Sequence, residues 1–443
     1  MTPAPPALAH GVGGRQDLPV SLTELVVGVA LVLIVTLLAL GTHWRQPRLD
    51  TDDAAGRPVP VPLARVLGSA GCGGGVRLLG LALAGWFCVG LLAGPDTAQN
   101  PTAGAFYVLF WVGLVPLSLT FGPVWRALNP VRTLHLIAAL ALRRDPAVGL
   151  RPLPPRLGYW PAAAGLLAFV WLELVAPGRA TLPVIGAWLA TYLTAMLVGA
   201  VLYGAAWFDR GDPFEVLSAV VGRLAVIGRG ADGVLLWRNP LDGIASLVPA
   251  PGLVAVVVVL LGSTMYDGIS DALFWLRFQR ASGLPTVLTG SAGLVGVIVA
   301  VGLAYVTATR AAARRGNADP TSMPGELVHS MVPVMVGYLV AHYYSLLVLE
   351  GQRTIALLSD PLDTGANVFG TAGWSTRTDL VTPTGVVNLQ ITVIVLGHLV
   401  GTLLAHDRAL RLFAPTEATR GRLPLLVLMI LYAVAGLLLL FAV

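Results

Sequence analysis

The sequence predicts an all-α, polytopic transmembrane helix bundle of about ten spans with both termini outward, and three observations predict it. Only 12% of the residues are charged while 56% are hydrophobic, against about 25% charged in an average soluble domain. The mean hydropathy is +0.78. The apolar residues fall in runs long enough to cross a bilayer, which takes about twenty residues.

On that ruler the spans fall near 21–41, 76–94, 103–121, 159–176, 180–203, 248–264, 284–306, 327–349, 384–405 and 423–442. Two further apolar stretches, 131–142 and 213–228, are too short or too polar to span and are expected as helices lying along the surface. Asn129-Pro130 and Asp212-Pro213 start them, each placing a capping side chain before a proline at the first helical position. Asn239-Pro240 repeats the device before the sixth span. Residues 1–20 read as an outward N-terminal tail and 21–443 as a single transmembrane domain.

Orientation follows from arginine, the only basic residue besides histidine. Of 28 arginines, 22 lie in the loops after the first, third, fifth, seventh and ninth spans, and 6 in the N-terminal segment and the even-numbered loops. Cytoplasmic loops collect basic residues, so a bacterial cytoplasmic membrane with both termini outside is expected. The net charge of +5 then faces anionic lipid, and nothing suggests nucleic acid. Cys72, in a Gly-rich loop, and Cys88, inside the second span, are not placed to pair.

Several chemistries are excluded by missing motifs. The chain has no GxxxxGK[ST] loop, no HExxH, no GxSxG and no CxxC, so P-loop, zincin and nucleophile-elbow mechanisms have no sequence basis. Transport, membrane-embedded metal chemistry and a scaffold role among membrane partner subunits stay open.

Ionisable residues inside spans are costly and mark function by default. The eighth span carries His329, Tyr338, His342 and Glu350, and the ninth carries Gln390, His398 and His406. A rise of about 1.5 Å per residue puts His329 about 3 Å and His398 about 11 Å from the cytoplasmic boundary, with His342 and Gln390 both about 22–23 Å away. His406 sits at the boundary. These residues form a ladder that suits an ion or solute pathway. Gly397 and Gly401 form a GxxxG that admits a neighbouring backbone. Asp267 and Asp271, four apart after the sixth span, share a helix face. With His342 and Glu350 they offer the mixed nitrogen and oxygen ligation that holds a divalent metal ion. Glu173, near the end of the fourth span, is expected to reach the headgroups.

AHGVGGRQDLP, FYVLFWVGLVPLSLTFGPVWRALNPVRTL, DPFEVLSAVVGRLA, MYDGISDALFW, AHYYSLLVLEGQ and LGHLVGTLLAHDRAL together resemble a bacterial family of multipass membrane proteins, some members of which carry the name fenitrothion hydrolase. The resemblance implies a membrane-embedded organophosphate hydrolase, which would need an activated water, most simply on a metal. It assigns no catalytic roles. From the residues alone, the expected function is the handling of a metal ion or small solute at a buried His/carboxylate site.

Overall fold

The computed structural model describes residues 20–52, 56–230, 233–413 and 418–441, so nearly all of the expected N-terminal tail lies outside the described residues. Among the described residues, ten helical segments are long and apolar enough to cross a membrane: α1 Leu22–His43, α2 Ala70–Ala93, α3 Thr102–Phe121, α4 Pro155–Leu174, α5 Leu182–Tyr203, α6 Leu253–Ser270, α7 Thr286–Arg315, α8 Met323–Leu357, α9 Pro383–Leu412 and α10 Gly421–Phe441. The chain is an all-α polytopic bundle. Its two faces are named here by their loops, Arg-rich after odd-numbered helices and Arg-poor after even-numbered ones.

Local chemistry sets the helix starts. Ser21 and Glu24 form a reciprocal capping box on α1, and Thr382 caps α9 ahead of Pro383. Asn129 accepts from the backbone N–H groups of Val131 and Arg132 and starts a helix over Pro130–Ala141. Asp212 does the same for Pro213–Val221, and Asn239 for Pro240–Ala245.

The structure corrects three expectations about these elements. The helix at 213 ends at Val221, and it does not lie along the surface: Phe214, Glu215, Val216 and Leu217 are all buried. It can be buried because Phe214 enters a cluster of rings with Phe110, Phe169 and Trp188, while Arg132 neutralises Glu215. The chain after it forms a three-stranded antiparallel sheet of Arg57–Pro58, Leu235–Trp237 and Ile227–Arg229, with Leu235–Trp237 in the centre. The sixth span also starts later than expected, at Leu253, after Gly252 takes a left-handed turn. That shift carries Tyr266 and Asp267 into the bundle, where both are buried.

The core is deepest where α8 meets α9. A Cβ on Gly337 would lie 2.6 Å from the Val393 carbonyl oxygen, and one on Gly397 or Gly401 would lie 2.6 Å from that of Pro333 or Ser330. The two helices therefore run antiparallel in backbone contact, which only glycine permits. Beyond α6, Leu273–Ser282 forms a short helix whose Leu273, Phe274 and Phe278 are exposed, an apolar face of the kind that settles in a membrane interface.

Candidate functional site: a His/carboxylate cluster under a polar cavity

Four side chains from three helices meet near the Arg-poor end of the bundle. His342 of α8 places Nε2 at 2.6 Å from Asp267 Oδ2 of α6. The next residue, Tyr343, donates its hydroxyl to Glu173 Oε1 of α4 at 3.2 Å, and the same hydroxyl lies 3.3 Å from Asp267 Oδ2. Asp267 and Tyr343 are 2% and 4% exposed, and Glu173 is 8% exposed. Glu173 Oε2 is buried without a hydrogen-bond partner among the described residues. A carboxylate in that state has exchanged water for very little, and such groups persist where function requires them.

Above Asp267 is a polar cavity of about 210 Å³. Arg179, Tyr266, Asp267, Ser270, Asp271 and Gln279 are among its lining residues, and all lie at the Arg-poor ends of α4 and α6 or in the segments that follow them. Arg179 is tethered through Nη1 to the Leu174 carbonyl, and its own carbonyl accepts from the Tyr107 hydroxyl. The helical turns that place Tyr107 are wound more widely than an α-helix over Ala105–Val112, a distortion that often accompanies functional sites.

The residues singled out in the sequence are not gathered at one point. Gln390 lies at the level of His342, but its Nε2 donates to the carbonyl of neighbouring Ala341 at 3.1 Å, while His342 itself turns to Asp267. His398 holds Nδ1 at 2.9 Å from the Ile394 carbonyl and packs its ring between Tyr338 and Tyr432. The Tyr338 hydroxyl donates to the Tyr432 carbonyl. His329 is buried against the Glu326 carbonyl. His406 bonds to the Trp44 carbonyl and meets the Arg422 guanidinium. As for the four residues proposed to hold a metal, Asp271 is exposed on the cavity wall with Asp267 below it. Glu350 instead pairs with Arg353 at 3.4 Å. Among the described residues, no group of three or more His, Cys, Asp or Glu side chains could hold a metal ion.

Sequence reasoning missed Glu173 and Tyr343 as partners. Glu173 does not reach the headgroups, because α4 packs against α6 and turns Glu173 inward, where the Tyr343 hydroxyl of α8 bonds it. The signal was present in its neighbours: a lone carboxylate in FVWLELV has apolar residues on every side. A second network was missed as well. Arg132 bonds Asp209 and Glu215, each at 2.7 Å. Asn129 Nδ2 and the Tyr192 hydroxyl both donate to Asp212 Oδ2. The two capping residues thus bond to each other across 83 residues, which no local pattern announces.

No family model, curated protein or solved structure matches the chain. The ten apolar helices define a multipass membrane protein, and what is said of its activity rests on the site itself.

Proposed function

We propose that the protein is a cytoplasmic-membrane carrier that admits a small cation or cationic solute from the Arg-poor face, taken as the outer one. The cation enters the cavity over Asp267, and the His342–Asp267–Tyr343–Glu173 cluster senses its arrival. The observation that carries this reading is the polar cavity whose floor is a buried carboxylate already bonded to a histidine. Asp267 and Asp271 line it against a single arginine, Arg179, with Glu173 behind, so the site favours positive charge. The donor set gives a metal-loading role little support, because Glu350 is engaged elsewhere.

The cluster is built to change its proton count. The Tyr343 hydroxyl has one proton for two carboxylates, so it donates to both only in turn. A further proton on either acid would complete the bonding, and a cation beside Asp267 would compete with that proton. Coupling between solute and proton needs this kind of competition at one buried acid.

The test is uptake into proteoliposomes of a panel of labelled monovalent, divalent and organic cations. Uptake of at least one, abolished by Asp267→Asn, is the expected result. Equal uptake by the wild type and a well-folded Asp267→Asn protein would sink the proposal. A His held by a carboxylate at a cavity is also a general-base arrangement, which keeps the hydrolase resemblance as a second reading. It predicts release of the phenol from fenitrothion by detergent-purified protein, whereas a partner subunit shows neither uptake nor turnover.

A further inference from the structure

Three buried polar atoms on α9 have no hydrogen-bond partner among the described residues: Gln390 Oε1, His398 Nε2 and Thr402 Oγ1. Their residues are 3%, 0% and 5% exposed. With His406 they lie four or eight residues apart along α9, and each four-residue step turns about 40° further, so the strip winds about 160° around the helix from Gln390 to His406. That strip begins where Gln390 bonds Ala341, beside His342. It passes Tyr338 and Tyr432 at His398 and ends where His406 meets Arg422 and the Trp44 carbonyl. Buried polar atoms in native proteins are paired with protein or with ordered water in the great majority of cases. The Thr102 hydroxyl and the indole nitrogens of Trp111, Trp125, Trp207 and Trp275 are likewise unpaired elsewhere among the described residues, but three such atoms along a single helix invite one shared explanation.

We propose that this winding strip of α9 is lined by a file of water that conducts protons between the His342 cluster and His406, making the proton the coupling ion of the carrier. The inference rests on the carrier reading above and adds the coupling ion and its route. Near the Arg-rich end, Thr402, His406 and Arg422 share a cavity of about 10 Å³, at the lower limit for one water molecule. Thr402 Oγ1 is the unpaired atom that such a water would meet.

The tautomer of His398 supports the direction of bonding. A carbonyl only accepts, so the Nδ1 beside the Ile394 carbonyl carries the ring hydrogen and Nε2 carries a lone pair. Nε2 takes the excess proton from a protonated water, leaving neutral water and making the imidazolium, and returns it to the next water in the file, which becomes the protonated one. Only O–H and N–H bonds form and break, and no electron leaves the ring. Among the described residues, the ring neighbours of His398 are Tyr338 from α8 and Tyr432 from α10, neither of them a formally charged side chain. His406 is faced by the Arg422 guanidinium and the Trp44 carbonyl, with Asp407 next to it in the chain.

The test is proton flux in proteoliposomes loaded with a pH-sensitive dye, driven by a potassium–valinomycin potential. Thr402→Val keeps the side chain's shape and removes its hydroxyl, and His398→Phe keeps the ring. Each is expected to lower flux at least tenfold, with Thr402→Ser restoring it, while both variants stay monodisperse in detergent. Unchanged flux in Thr402→Val and His398→Phe overturns the file, as does a wild type that takes up cations but passes no protons. Flux that depends on Thr402 in a protein that takes up no cation leaves the file standing and removes the carrier reading instead.

Discussion

The contact between α8 and α9 makes a quantitative claim. At Gly397 and Gly401 a methyl group would sit 2.6 Å from a backbone carbonyl oxygen, while ordinary contact begins at 3.4 Å. Accommodating either alanine requires the helices to part by about 0.8 Å, the difference between those distances, because a helical carbonyl cannot rotate away. Overpacking of this kind costs about 1–3 kcal/mol per site. Alanine recovers only about 0.5–1 kcal/mol through its better helix propensity. Gly296 of α7 supplies the control, since a Cβ there meets nothing within 4 Å and its substitution should be neutral or slightly stabilising. Unfolding is best followed by intrinsic tryptophan fluorescence in mild detergent, because exposed Cys88 would react with a thiol dye before the fold opens. Gly397→Ala and Gly401→Ala should each unfold several degrees below the wild type, and Gly296→Ala at or above it. The double variant should fall short of the sum, since one separation of the helices relieves both clashes. If all three single variants unfold together, the close backbone seam is refuted.

The other predictions concern the two polar networks. Arg132→Met strands Glu215, which is 3% exposed, and should destabilise by about 3–5 kcal/mol, as removal of one partner of a buried pair does. Asp209 is more than a third exposed and should add little to that figure. Adding Glu215→Gln should return part of the loss, and a midpoint unchanged by Arg132→Met would argue against the pair. Glu173→Gln keeps the acceptor for Tyr343 and removes a poorly paired buried carboxylate, so the midpoint should hold or rise while cation uptake falls. Tyr343→Phe leaves Glu173 without its donor and should lower stability by about 1–3 kcal/mol, read by the same thermal assay.

The bundle was legible in the sequence because span length and apolar composition are local quantities, and a bilayer demands both. The Asn129, Asp212 and Asn239 helix starts were legible for the same reason: each is complete within four residues. What stayed hidden depends on which side chains meet across long stretches of chain. Depth arithmetic set His342 level with Gln390, but it carries no information about azimuth, and His342 turns away from α9 toward α6. Glu173 was misjudged because its distance from the end of α4 does not say whether that face is covered. The buried helix at Pro213 shows how a short polar-looking segment changes character once its one acid is neutralised by Arg132.

The two networks differ in a way that separates support from function. In the Arg132 network, caps, carboxylates and guanidinium find one another, and the Asp212 carboxylate accepts from two side chains and two backbone N–H groups. A group held that fully is expensive to move, and it fixes the short helices at Pro130 and Pro213 against α5. Around Asp267 and along α9 the accounts stay open: one hydroxyl serves two acids, and Glu173 Oε2, Gln390 Oε1, His398 Nε2 and Thr402 Oγ1 have no partner. Apolar side chains could have filled those positions at lower cost, because unpaired buried polar atoms cost about 1–3 kcal/mol each. Other unpaired atoms, the Thr102 hydroxyl and the indole nitrogens of Trp111, Trp125, Trp207 and Trp275, lie elsewhere among the described residues. Those along α9, however, run from beside the His342 cluster toward His406, and the proposed path supplies their missing partners as water and protons that come and go.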